Sequence, residues 1–322
     1  MILNVILLLV GVILLVKGAD FLVEGSAAIS KKLGVSELFI GLTVVAFGTS
    51  APELAVSVSA SIKGSGGIAI ANVLGSNIAN VALVLGFTAI ISPIAFRKST
   101  FRSEIPFVIL ASISTGMLLL NDNYVLDRFE AVILLAFFVI FMDYLFSMAK
   151  KDRKFKNDLV SQGVDKEDLS RLERNTVLAW ISTLGGIIAV VAGGNFVVNS
   201  GTYLANSFGV SETLIGVTII AVGTSLPELV TSIAATLKRS QDMAVGNILG
   251  SNIFNLLLVL GTASSIKPIQ ADRPVLIDII IATSLVILLP FISFRKKRLG
   301  RIGGIILFSI YIFYIYNSIV LG

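Results

Sequence analysis

The chain has 322 residues, 55% hydrophobic and 14% charged, with a mean hydropathy of +0.94; soluble domains carry about 25% charged residues, so this composition is that of a membrane protein. With no cysteine and no histidine, it excludes disulfides, thiolate or imidazole metal sites and Cys or Ser-His nucleophiles, and leaves oxygen as the only metal donor, which suits hard cations such as Na⁺ and Ca²⁺. The net charge of +5 sits in short basic clusters between apolar spans, the pattern of membrane loops rather than of a nucleic-acid surface.

Taken in order, apolar segments of about 20 residues, enough to cross a core of about 30 Å, predict ten transmembrane helices. They run over 2–24, 38–62, 68–92, 103–120, 129–149, 176–205, 213–237, 243–266, 275–294 and 301–320. The first lacks the basic flank and small-residue cleavage site of a signal peptide and reads as a retained span. Near its end, Lys17, Asp20 and Glu24 lie at helical spacing and read as an interfacial charge group that pairs within itself. Asp143 and Asp278, close to span ends, read as interfacial too, and the aromatic tail from Phe308 to Tyr316 as a lipid-facing belt. Residues 150–175 hold eight basic and six acidic side chains and read as a solvated linker. Alternate loops beginning at Lys31 and Lys32 hold twenty basic residues, against four (Lys63, Arg128, Lys267 and Arg273) in the others. That asymmetry predicts a multi-pass protein of the cell membrane, with the linker cytoplasmic and both termini outside.

The second span contains Gly-Leu-Thr-Val-Val-Ala-Phe-Gly-Thr-Ser-Ala-Pro-Glu, ending at Glu53, and the seventh contains Gly-Val-Thr-Ile-Ile-Ala-Val-Gly-Thr-Ser-Leu-Pro-Glu, ending at Glu228. A shift of 175 residues aligns the two and continues without a gap through Leu74-Gly-Ser-Asn-Ile78 on Leu249-Gly-Ser-Asn-Ile253, Asn80 on Asn255 and Pro93 on Pro268. The chain therefore divides into a first five-helix repeat (1–149), the linker (150–175) and a second five-helix repeat (176–322). Because five is odd, the second repeat enters the membrane from the opposite side. The expected fold is all-α and integral to the membrane, with two inverted repeats and a site at mid-membrane where they meet.

A charged side chain at mid-membrane costs roughly 2.5 to 3.5 kcal/mol, so Glu53 and Glu228 are read as functional. On a regular helix Ala46, Thr49, Ser50 and Glu53 share one face, as do Ala221, Thr224, Ser225 and Glu228. Pro52 and Pro227 break their helices and free carbonyls, chiefly those of Gly48 and Gly223, as candidate ligands. The following helices add Ser76 and Asn80, and Ser251 and Asn255. Calcium takes six to eight oxygens, and two glutamates with neutral oxygens meet that number. For Thr49 or Ser76 taken alone, helix packing and ligation stand equal. The glycines at 41, 48, 75 and 86, and at 216, 223, 250 and 261, read as packing residues, and Asn72, Asn77, Asn247 and Asn252 as helix-to-helix hydrogen bonders.

On the G-T-S-x-P-E and G-S-N-I-x-N strings the chain resembles the calcium/cation antiporter superfamily, and most closely its sodium/calcium exchanger branch in a compact prokaryotic-type form. The resemblance implies that Glu53 and Glu228 bind Ca²⁺ and share Na⁺, with Thr49, Ser50, Ser76, Thr224, Ser225 and Ser251 completing the shells. It implies carbonyl ligands from Ala46 and Ala221, Asn80 and Asn255 at the centre, and the first and sixth spans as a sliding gate. Asparagine at 255, where the potassium-dependent branch carries aspartate, argues against K⁺ co-transport, and the lack of a carboxylate between Gly75 and Asn80 or Gly250 and Asn255 favours Na⁺ over H⁺. The expected activity is Na⁺/Ca²⁺ antiport by alternating access, electrogenic at three Na⁺ per Ca²⁺, by a functional monomer in the lipid bilayer. No enzyme activity, cofactor or nucleic-acid partner is expected, since the ions are substrates. Ca²⁺/H⁺ antiport and, in a different class, a cation channel are the alternative readings.

Overall fold

A computed structural model describes residues 1–120, 124–161, 172, 175–209, 221–271, 275–293 and 297–320. Most of the linker, Gly216, Arg273, Arg295 and Lys296 lie outside the described residues. The helices are α1 (Ile2–Leu33), α2 (Glu37–Thr49), α3 (Ala51–Lys63), α4 (Gly66–Ile91), α5 (Lys98–Leu119), α6 (Arg128–Ser161) and α7 (Thr176–Ser207). They continue with α8 (Ala221–Thr224), α9 (Leu226–Leu237), α10 (Gln241–Ile266), α11 (Leu276–Ile292) and α12 (Arg301–Val320). Seven of these are long and apolar enough to cross a membrane, or eight if the bent pair α2 and α3 is one span; α9 and α11 are shorter apolar helices. Each lies within or around a segment expected from hydropathy.

Punctuation in the sequence sets the helix ends. Gly34 closes α1 with a left-handed φ of 69°, and its N–H bonds the Ser30 carbonyl, a conformation that costs glycine nothing because it has no Cβ. At the G-T-S-x-P-E string the axis turns by 46° between α2 and α3. Pro52 lies in the first turn of α3 and Pro227 in the first turn of α9, where a missing N–H leaves no bond unmade. The prolines therefore start new helices rather than kinking one continuous helix, and the single helical face expected for Ala46 through Glu53 is split across the break.

The most apolar stretches of α4 and α10 are 78% and 94% buried, against 22% for α1, so these two helices form the centre and α1 faces outward. Each carries a π-helical turn, at Asn80–Leu85 and Phe254–Val259; such turns inside α-helices are frequent at functional sites. Outside the centre, α1 and α7 run together along a seam of glycines. A Cβ placed on Gly11 would lie 2.9 Å from the Gly193 carbonyl, and one on Gly186 2.5 Å from the Leu22 backbone nitrogen, so only glycine permits this approach.

Two short antiparallel ribbons tie the halves together. Ile94–Ala95 (β1) pairs with Arg298–Leu299 (β4), and Val125–Leu126 (β2) with Ile269–Gln270 (β3). Around β1, Arg97 pairs with Asp242 and the Ala95 N–H donates to Gln241; nearby in the chain fold, Ser240 donates to Glu37 and the Ser36 N–H to Asp152. Around β3, Ser61 donates to the Ala263 and Lys267 carbonyls. The loops thus gather into two sets, and these are the alternate sets separated by basic charge in the sequence.

Several side chains are placed differently from their sequence reading. Asp20 and Glu24 pair with Lys238 of the distant α9–α10 turn, at 3.0 and 2.6 Å, rather than among themselves. Asp278, in the first turn of α11, is 4% exposed and accepts from Tyr314, so it turns into the bundle, where an aromatic hydroxyl satisfies it. In the aromatic tail Phe313 and Tyr316 are exposed as expected, whereas Tyr311 is buried. Gly41, Gly48, Gly86, Gly223, Gly250 and Gly261 all lie against neighbouring chain, but among the described residues nothing lies within 4 Å of a Cβ built on Gly75. Gly250 meets Leu42 and Ala46, and the positions the shift matches to them, Val217 and the Ala221 side chain, lie outside the described residues, where the packing reading of Gly75 falls.

Candidate cation site

Glu53 and Glu228 are both fully buried, and each occupies the first turn of the helix that begins after the break. The unbonded N–H groups of a helix N-terminus carry a partial positive charge that favours a carboxylate there. The break thus gives each glutamate a local electrostatic partner that an unbroken helix would lack. The charge of Glu228 also acts on Glu53, placing the two carboxylates in one electrostatic unit.

Hydroxyls from both repeats surround them. Ser76 Oγ donates to Glu53 Oε1 at 3.4 Å, and Ser251 Oγ to Glu228 Oε1 at 3.3 Å, the same contact in each repeat. Ser50 Oγ reaches across to Glu228 Oε1 at 3.4 Å. Thr49 lies 3.4 Å from Ser251, and Thr224 3.5 Å from Ser76, again a matched pair. A tight O–H···O bond measures about 2.7 to 2.8 Å. These contacts are longer, as expected of oxygens gathered around a shared space.

A rigid frame of amides lies beneath. Asn77 Nδ2 donates to the Asn252 carbonyl at 3.1 Å, and Asn252 Nδ2 to the Asn77 carbonyl at 3.4 Å. Asn80 Nδ2 donates to Asn252 Oδ1 at 3.0 Å, and Asn255 Nδ2 to Asn77 Oδ1 at 3.1 Å. The outer amides Asn72 and Asn247 hold Ser57 and Ser232 at 3.0 and 3.2 Å. The four asparagines read as helix-to-helix bonders do form such bonds.

This network leaves a matched set of oxygens over. Glu53 Oε2, Glu228 Oε2, Asn80 Oδ1 and Asn255 Oδ1 are buried and have no hydrogen-bond partner among the described residues, and Ser225 Oγ joins them. Buried polar atoms are nearly always bonded; other exceptions are scattered through the helices, but these four fall at positions the 175-residue shift pairs, on the helices that carry the two glutamates and the two that follow them. All are oxygen acceptors or ambivalent hydroxyls, the donor set of a hard cation. Among the described residues no three acidic side chains gather at one point, so neutral oxygens must complete any shell.

Not every candidate converges equally. The Ala46 carbonyl is already engaged by the Ser50 N–H at 2.9 Å and by Thr49 Oγ1 at 3.4 Å. Ala221 opens the short α8, and its side chain lies outside the described residues. Sequence reading missed Ser57 and Ser232, although the 175-residue shift aligns them. It also missed Glu104, which is fully buried and accepts from Tyr144. Its matching pair, Asp278 with Tyr314, was hidden because the register drifts from 175 in the outer helices.

The family model described as sodium/calcium exchanger protein matches residues 3–147 and 178–320. The chain is 33% identical over 339 aligned positions to the sodium/calcium exchanger MaX1 of Methanosarcina acetivorans, covering 96% of each chain. It is 34% identical over 276 positions to the inner membrane protein YrbG of Escherichia coli, covering 84% of this chain and 82% of that one. A structure of the sodium-calcium exchanger NCX_Mj soaked with 2.5 mM Na⁺ and 0.1 mM Ca²⁺ superposes with a TM-score of 0.82 at 32% identity, covering 98% of both chains.

Proposed function

We propose that this chain, a membrane transporter that belongs to the sodium/calcium exchanger family, expels Ca²⁺ in exchange for Na⁺ at the site formed by Glu53 and Glu228. The carrying observation is the set of buried, unpartnered oxygens on Glu53, Glu228, Asn80 and Asn255, supplied equally by two copies of one sequence. Ca²⁺ takes the two carboxylates together with amide and hydroxyl oxygens. Na⁺ shares them with Thr49, Ser50, Ser76, Thr224, Ser225 and Ser251, and the carbonyls of Ala46 and Ala221 become ligands as the helix ends shift. With both glutamates ionised, one Ca²⁺ leaves the site neutral and three Na⁺ leave it at +1, so three-for-one exchange carries net charge across the membrane.

Ten spans in two inverted repeats, 1–149 and 176–322 joined by the linker 150–175, give this site equal access to either face. The matched hydrogen bonds and the two ribbons support that symmetry. The excess of basic residues in alternate loops favours a cytoplasmic linker with both termini outside. Alternation follows if the glycine-seamed pair α1 and α7 slides over the rest, because a cation released to one face only cannot be exchanged.

The test is ⁴⁵Ca²⁺ uptake into proteoliposomes, with Na⁺, K⁺ and H⁺ gradients imposed one at a time. Uptake driven by the outward Na⁺ gradient alone, and accelerated by an inside-positive potential that the opposite polarity slows, supports the proposal. Uptake driven by the H⁺ gradient in Na⁺-free vesicles replaces it with Ca²⁺/H⁺ exchange. Uptake with no counter-ion gradient makes the protein a channel.

A further inference from the structure

The pair α1 and α7 is seated unequally on the two repeats. Leu15 and Ala19 of α1 with Val190 of α7 form a buried cluster, and Leu226, Val230 and Ala234 of α9 pack onto it. The 175-residue shift carries those three α9 residues onto Ala51, Ala55 and Ser59 of α3. There the side chains are smaller on balance, and Ala55 and Ser59 are exposed. Among the described residues the apolar seal therefore exists at the α9 end of the site and has no counterpart at the α3 end.

Charge follows the same division. Lys238, at the end of α9, bonds Glu24 at 2.6 Å and Asp20 at 3.0 Å, both on α1. The shift carries Lys238 onto Lys63, at the end of α3, while Asp20 and Glu24 become Asn195 and Asn199 of α7. Lysine is present in both repeats, but the carboxylates occur in only one. A slide of α1 and α7 that exposed the α9 end would separate Lys238 from both carboxylates, and the mirrored arrangement would offer Lys63 only neutral amides.

We propose that Lys238, Asp20 and Glu24 form a one-sided ionic latch that holds α1 and α7 against α9 and keeps the buried site closed toward the Lys238 face, with no counterpart among the described residues toward the Lys63 face. The three side chains are 30%, 36% and 49% exposed, so water screens the attraction. Ion pairs of this kind shift a two-state equilibrium by about two- to fivefold. That is enough to bias a carrier without arresting it. Apolar contact forms the seal, and the latch sets how often it opens.

The purpose of the latch rests on the exchange reading, but its test reads conformation and needs no transport. Because the chain has no cysteine, Ala234→Cys and Ser59→Cys in otherwise unaltered full-length protein each report one end of the site to a hydrophilic thiol reagent. Ser59→Cys is expected to react quickly and Ala234→Cys slowly. Adding Lys238→Gln should speed modification of Ala234→Cys by about two- to fivefold. Adding Lys238→Glu together with Glu24→Lys and Asp20→Asn, which removes the like charge beside residue 238, should restore the slow rate, which a merely loosened fold would not do. An Ala234→Cys rate unmoved by Lys238→Gln, or a charge-exchanged pair reacting as fast as the single variant, overturns the latch. Absence of Na⁺-driven flux alongside the expected labelling would overturn the exchange reading and leave the latch standing.

Discussion

Asn77 and Asn252 each donate a side-chain amide to the other's backbone carbonyl, at 3.1 and 3.4 Å. Each also offers its amide oxygen to the asparagine three residues along the partner helix, Asn255 and Asn80 respectively. With their amides fixed in this way, Asn80 and Asn255 keep buried Oδ1 atoms that, like one oxygen of each glutamate, have no hydrogen-bond partner among the described residues. The pair thus connects packing to function, since a bond between helices decides which way a ligand atom points.

Replacing Asn77 or Asn252 by alanine should each cost about 1 to 3 kcal/mol, because removal of one partner leaves a buried polar group unsatisfied. The double variant should cost less than the sum, since the two bonds depend on the same pair. Thermal unfolding in detergent checks the coupling. Ca²⁺ affinity should fall in both single variants, as Asn255 or Asn80 loses its orientation.

Glu53→Gln and Glu228→Gln should each abolish Na⁺-driven Ca²⁺ flux while the protein remains folded. Glutamine keeps the shape and removes the charge that offsets the dication. The check pairs flux with size-exclusion behaviour, and robust flux in both variants would remove the proposed site.

Gly250→Ala should be destabilised by packing. A Cβ on Gly250 would lie 2.7 Å from that of Ala46 and 3.0 Å from the Leu42 backbone. Overpacking should cost about 1 to 3 kcal/mol. The melting temperature of the variant beside that of the unaltered protein checks it.

Tyr144→Phe removes the hydroxyl that donates to Glu104, a fully buried carboxyl whose second oxygen already has no partner among the described residues. The loss should be about 1.5 to 3 kcal/mol, the range for a hydrogen bond to a charged group. Thermal stability should fall, while the Na⁺ dependence of any remaining flux stays unchanged.

Much of this arrangement is legible in the sequence because the duplication is. A gapless shift of 175 residues pairs Glu53 with Glu228 and Asn80 with Asn255, and the cost of burying charge marks the glutamates as functional. Helix periodicity misreads the break, since the turn at Ser50 and Ser225 is a backbone event that proline marks only by position. Long-range partners are not legible either. Lys238 lies 214 residues from Glu24, and nothing local in either segment names the other. Burial of Glu104 and Asp278 escapes notice for the same reason, because tyrosines from a neighbouring helix satisfy them.

The two ribbons have a consequence for how the protein is made. Each ribbon takes one strand from either half, and each central asparagine finds its partner across the same divide. When residues 1–149 have been made and the remainder is still on the ribosome, Asn77 and Asn80 have their partner Asn252 unsynthesised, and β1 and β2 have open edges. The first half is therefore an unfinished surface that must wait, and the last helices to be translated release it.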